Sequence, residues 1–216
     1  MNRRPGVVVA IAAWLVAAGG MLLGGLFMGE TRDPLILVLA SQAAVALPVL
    51  LLLIPMRPRE LGLGPASGRS LLTGAVVGPI AIGCSLALAG LTFWFAGQPP
   101  PQPVEQVIED LHARFGLAGL VVLAAILPGV VEEALFRGVI LTGLRRHLSP
   151  AAAVMISALM FAALHLSPWR FLPQLALGCL LGWLTLRTGS CWPAALAHAI
   201  HNGAVVVVAR LAQSHA

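Results

Sequence analysis

The sequence predicts an all-α protein, a polytopic transmembrane helical bundle of about seven spans. Three observations predict it. Of 216 residues, 59% are hydrophobic and only 10% charged, whereas soluble domains carry about 25% charged residues. Mean hydropathy is +0.94, so too few polar side chains remain to cover a water-facing surface. Apolar stretches also recur along the chain, separated by short polar or Pro/Gly-containing breaks. Lipid is the natural solvent for such a chain.

The spans fall near 7–29, 35–56, 70–96, 117–147, 150–167, 171–187 and 191–210. A helix needs about 20 residues to cross a hydrocarbon core. The fifth and sixth are short. The fourth is long and holds Pro128-Gly129, which predicts a kink or break with a fresh helix near Val130. The chain divides into 1–116, accessory spans with a Pro-rich loop, and 117–210, a helical core. That loop, Gly97 to Gly116, opens with the stiff run Gln98-Pro99-Pro100-Pro101-Gln102-Pro103. Val104, Val107, Ile108 and Leu111 then follow at helical spacing, as in an interfacial connector.

All basic residues are arginines, and the formal net charge is +5. No basic run interleaves with aromatics, which argues against nucleic acid as a partner. The arginines instead orient the chain. With the N-terminus inside, the inner side holds Arg3, Arg4, Arg57, Arg59, Arg69, Arg145, Arg146 and Arg187. The outer side holds Arg32, Arg114, Arg170 and Arg210, together with the acids Glu30, Asp33, Glu105, Glu109 and Asp110. The opening Asn2-Arg3-Arg4-Pro5 is read as the flank of an uncleaved span, because further spans follow. Cys84, Cys179 and Cys191 form no CxxC pair, so neither a disulfide framework nor a thiolate metal site is expected.

Glu132 and Glu133 lie inside an apolar run. A charge at the bilayer centre costs roughly 2.5–3.5 kcal/mol on insertion scales, so an adjacent pair needs a reason. Helical neighbours differ by about 100° in direction. Glu133 and Arg137, at i and i+4, can pair on one face, which leaves Glu132 without that partner. If the fourth and fifth spans form an antiparallel hairpin turning at Leu148-Ser149, His165 lies at the depth of Glu132. The last span adds His198 and Asn202, again i and i+4, with His201 beside them. A desolvated carboxylate can act as general base. An imidazole beside it can relay the proton, and imidazole and amide N–H groups can stabilise an oxyanion.

Glu132-Glu133-Ala134-Leu135-Phe136-Arg137 reads EExxxR, Phe161 to His165 reads FxxxH, and His198 to Asn202 reads HxxxN. In order, on separate apolar spans, these residues resemble the CPBP family of intramembrane proteases, the CAAX protease and bacteriocin-processing (Abi) family. The resemblance covers roughly Leu117 to Val207. It implies a catalytic core in the C-terminal four spans, with Glu132 and His165 activating water. It assigns His198 and Asn202 to the oxyanion and Glu133 with Arg137 to support of the motif helix. The implied activity is endoproteolysis of a membrane-embedded or lipidated peptide: a CAAX-type prenylated peptide, a bacteriocin-like peptide or a C-terminal sorting signal. The implied location is a bacterial inner membrane. A metal-free mechanism is favoured, although Glu132, His165 and His198 could ligate zinc. The non-enzymatic alternative is a transporter or membrane chaperone using the polar cluster for binding. Transporters often carry paired repeats, whereas the motifs here occupy only one half.

Depth raises a conflict. Glu132 is about 24 Å of helix from the turn at 148–149, whereas His198 is about 12 Å from the turn at Gly189-Ser190. The motifs converge only if one turn protrudes or the helices tilt strongly.

Overall fold

The computed structural model describes residues 5–27, 33–97 and 103–213, and all regular structure among them is helical. The helices are α1 (Val7–Phe27), α2 (Pro34–Leu53), α3 (Gly68–Ala96), α4 (Pro103–Val121), α5 (Leu127–Glu133), α6 (Leu141–Leu144), α7 (Pro150–Leu164), α8 (Pro168–Thr188) and α9 (Trp192–Gln213). Two π-helical segments, π1 (Val122–Ile126) and π2 (Ala134–Ile140), join α4, α5 and α6 into the long fourth span. The Arg3-Arg4 pair, Glu30, Arg32 and the run Gln98 to Gln102 lie outside the described residues.

Each expected span has its helix, and local chemistry sets the ends. Ser67 and Ser149 accept the backbone N–H groups of Ser70 and Ala152 at 3.2 and 3.3 Å, capping α3 and α7, while Gly189, at φ 74, closes α8 in the left-handed conformation. Among the described residues, five helices are long and apolar enough to cross a membrane: α1, α2, α3, the α4–α6 unit and α9. The apolar α7 is shorter, at 15 residues. Large apolar side chains such as Leu26, Ile54, Leu72 and Trp94 stand exposed around the bundle, as lipid contact requires. The three cysteines are unpaired.

Helical structure is not interrupted at Pro128-Gly129, although a new α-helix, α5, begins at Leu127, three residues before the expected start near Val130. Proline lacks an N–H and crowds the carbonyl four residues back. Here π1 lies immediately upstream, with Leu127 N–H bonded to Val122 C=O. The wider turn accommodates the ring, and the chain stays helical through Glu133. The real bend is at Gly116, where φ 65 and ψ −175 are open to glycine. Before it, Ile108 and Leu111 bury against Leu120 and Val206, flanked by Leu35 and Val38 of α2. The amphipathic first half of α4 is thus a connector laid on the bundle.

Asp33 ties this connector to α2. Its carboxylate accepts Leu35 N–H at 2.9 Å and Arg114 Nη1–H at 2.8 Å. The Arg114 bond holds the Asp33 carboxyl below the usual aspartate value. A lowered folded-state pKa gives stability that is complete above the unfolded value and is lost as pH falls through the folded one. The pair is exposed, so the effect is small. Thermal unfolding in detergent between pH 6 and pH 3 should show an acid-labile component that Asp33→Asn removes and high salt weakens.

The 189–192 turn bears on the depth conflict, because it is partly covered although Gly189 is exposed. Ser190 and Cys191 are buried. Ser190 Oγ–H donates to Gly64 C=O at 2.7 Å, and Trp192 Nε1–H to Leu63 C=O at 3.4 Å. The 58–64 segment therefore covers Ser190 and Cys191, while the 145–149 turn is largely exposed. Small residues permit the resulting close helix contacts. A Cβ on Gly74 of α3 would run into the Pro193 carbonyl of α9, and one on Gly129 would lie 3.0 Å from Ala199 N. Both approaches press α9 against its neighbours, which brings HxxxN to EExxxR.

Candidate active site

Glu133 is fully buried at the end of α5. Its Oε2 meets Arg137 Nε at 3.0 Å, the i, i+4 pair that the spacing predicts. Its Oε1 meets His198 Nδ1, also at 3.0 Å. A carboxylate oxygen accepts, so Nδ1 carries the hydrogen. Arg137 Nη2–H also donates to Gly178 C=O at 3.1 Å. One buried carboxylate thus clamps π2 to α9, and its arginine clamps π2 to α8. Isolated buried charges are costly in hydrocarbon, and pairing offsets that cost.

Phe161 of α7 is the hub of the same region. Its ring lies edge-on to His165 at 4.8 Å and to His198 at 5.7 Å, with the Arg137 guanidinium 4.8 Å from its centroid. The fixed element of FxxxH therefore positions both imidazoles. The π2 segment that carries Arg137 is widened, a feature that often marks functional sites.

Glu132 points the other way, into a cavity of about 410 Å³ that also receives His165, His201 and Asn202. Its Oε1 is 3.5 Å from Gln42 Nε2 of α2. His165 closes α7, and its Nδ1 lies 3.0 Å from Phe161 C=O. A carbonyl only accepts, so Nδ1 bears the hydrogen and the Nε2 lone pair remains for the cavity. Ile82, Leu86, Ala89 and Phe93 of α3 and Val205 of α9 form its apolar wall. Trp169 and Arg170 of early α8 bring it to the 165–168 turn, where Leu166 has φ 48. A separate crevice of about 350 Å³, lined by Arg59, Arg145 and Arg146, marks the opposite end of the bundle.

His198 does not reach this cavity. It is 1% exposed and bonded to Glu133. With Nδ1–H committed there, Nε2 could donate to an oxyanion only if the ring carried both protons. Of the zinc set Glu132, His165 and His198, the first two line this cavity and His198 does not. Among the described residues, no three or more His, Cys, Asp and Glu gather in a way that could hold a metal ion.

Gln42 and Ser85 are cavity residues that the motifs do not announce. Gln42, a lone amide in an apolar span, could have been singled out by the reasoning applied to Glu132. Ser85 carries no such signal, since serine is tolerated in apolar helices.

Residues 114–204 match the family model described as Type II CAAX prenyl endopeptidase Rce1-like. Over this segment the chain is similar to the CAAX-protease family. The match includes EExxxR, FxxxH and HxxxN, and ends two residues after Asn202. No curated protein and no solved structure matches the chain significantly. This similarity and the apolar helices together indicate an integral membrane protein.

Proposed function

We propose that the protein hydrolyses a peptide bond near the C-terminus of a prenylated or otherwise lipidated, membrane-borne peptide, without a metal. The observation that carries this reading is the cavity in which Glu132, His165 and Asn202 face an apolar wall. The wall suits an aliphatic chain, and the three polar groups suit amide hydrolysis.

In the mechanism, Glu132 takes a proton from water as it attacks the scissile carbonyl, with His165 Nε2 holding that water or sharing the proton. The Asn202 NH2 donates to the oxygen as negative charge develops. The proton then passes from Glu132 to the departing amine, and the C–N bond breaks. Glu133 and Arg137 keep the motif helix in place, and His198 acts chiefly as the bridge from Glu133 to α9. The donor set on the cavity holds one carboxylate, His165 and His201, the latter hydrogen-bonded to Ser85 and Asn202. That set supports water activation by glutamate better than a three-ligand zinc centre.

The arginine-lined crevice at the opposite end supports an inner location for that end and for the N-terminus, by the positive-inside rule. A bacterial inner membrane fits this orientation. Of the three substrate classes, a lipidated C-terminal peptide suits the apolar wall best.

The reading is tested with purified protein in proteoliposomes, offered a fluorogenic peptide with and without a farnesyl group. Cleavage should favour the farnesylated peptide, chiefly through KM, and persist in chelator. Loss of cleavage on chelation with recovery on adding zinc would overturn the metal-free mechanism. Equal KM for both peptides would overturn the lipid-chain assignment.

A further inference from the structure

An oxyanion donor must present N–H and not C=O to the reacting centre. Asn202 is half-buried on the cavity wall, and its amide could sit either way round. A difference of 180° about one bond decides whether it helps or opposes a developing negative charge.

The neighbours of Asn202 bear on the choice. His201, 4% exposed, lies with Nδ1 3.1 Å from Asn202 Oδ1. On the far side of the same ring, Nε2 lies 2.9 Å from Ser85 Oγ of α3. The Ser85 hydroxyl can donate to Nε2 or accept from it; where it donates, Nε2 is the acceptor and the hydrogen of the neutral ring is on Nδ1. Nδ1–H then donates to Asn202 Oδ1. The amide oxygen is occupied, and its NH2 is turned outward. The sequence Ser85 O–H, His201 ring, Asn202 C=O is a directed chain with one consistent polarity.

We propose that His201 and Ser85 are positioning residues, fixing the Asn202 amide so that its NH2 faces the scissile carbonyl. The proposal rests on the oxyanion role given above to Asn202. It extends the site beyond the matched segment, because Ser85 belongs to α3. Neither residue touches the reacting atoms. Removing the Ser85 hydroxyl frees the ring to carry its hydrogen on Nε2. Nδ1 then becomes an acceptor, the amide flips to donate to it, and Oδ1 turns toward the oxyanion.

The test uses full-length protein in proteoliposomes, with the cleavage assay above and thermal unfolding as a control for folding. Asn202→Ala should lower kcat by about 10²–10³-fold, the effect of losing one oxyanion donor. Ser85→Ala, which removes a single oxygen, should lower kcat by about tenfold with KM unchanged, and Ser85→Thr should restore it. His201→Ala should fall between Ser85→Ala and Asn202→Ala. In an Asn202→Ala background, neither Ser85→Ala nor His201→Ala should lower kcat further, since the chain would have nothing left to orient.

Unchanged kcat in Ser85→Ala and His201→Ala, beside an impaired Asn202→Ala, would overturn this inference alone. So would losses that add fully to that of Asn202→Ala. Labelling of Ser85 by a fluorophosphonate would also overturn it, by making the serine a nucleophile. Full activity of Asn202→Ala would remove the oxyanion role itself, and this inference with it.

Discussion

Glu132→Gln should reduce peptide cleavage by about 10²–10⁴-fold, the range of general-base catalysis, with little change in folding. The amide keeps the size of the carboxylate and can still meet Gln42, but it cannot take a proton from water. Glu132 is half-buried at the cavity, and among the described residues it forms no ion pair. Its neutral replacement should therefore leave the unfolding midpoint near that of the wild type. A kcat within twofold of wild type would end the general-base assignment. A large drop in the midpoint would recast Glu132 as a structural group. His165→Ala should follow the same pattern, because its ring closes α7 and its only assigned bond is to Phe161 C=O.

Arg137→Ala should instead act on folding. The arginine is 1% exposed and bridges Glu133 and Gly178 C=O while stacking on Phe161. Truncation leaves Glu133 buried with only a histidine beside it. Breaking a buried pair from one side costs about 3–5 kcal/mol, which would drain most of the stability of a marginal domain. Arg137→Lys should rescue poorly, because an ammonium lacks the planar fork that reaches both Glu133 and Gly178. Removing both charges, as Glu133→Gln with Arg137→Met, should be less harmful than Arg137→Ala alone. Detergent unfolding curves check the order. A double variant less stable than Arg137→Ala would contradict the uncompensated-charge argument.

These two expectations rest on a division that is legible in the sequence. Helical spacing separates Glu133 from Glu132, and the structure keeps them apart, one in an ion pair and one at a cavity. Hairpin registry likewise brings His165 to the same cavity as Glu132. Such features are legible because they depend on local periodicity or on a single short turn. What escaped depends on contacts between distant segments. The bond from His198 to Glu133 spans 65 residues, and that from Ser85 to His201 spans 116. No spacing rule reports those. The π turn before Pro128 escaped as well, because proline in an apolar run reads as a break unless the upstream hydrogen bonding is known. The cover over Ser190 and Cys191 escaped for a third reason. Gly189-Ser190 looks like a surface turn, and only the bonds of Ser190 and Trp192 to Gly64 and Leu63 reveal the covering segment.

The 145–149 and 189–190 turns both lie at the end of the bundle that holds the arginine-lined crevice, where Arg145, Arg146 and Gly189 line it together. The site then lies toward the end of the bundle that carries the 165–168 turn, away from the arginine-lined crevice. A peptide held in the bilayer by a lipid chain could meet Glu132 beside the apolar face of α3.

Mass spectrometry of a farnesylated peptide after incubation with wild-type proteoliposomes in ¹⁸O-labelled water tests the central claim most directly. The account predicts a peptide shortened at its C-terminal end, with one solvent oxygen in the new carboxylate. A peptide left intact by folded protein would contradict it.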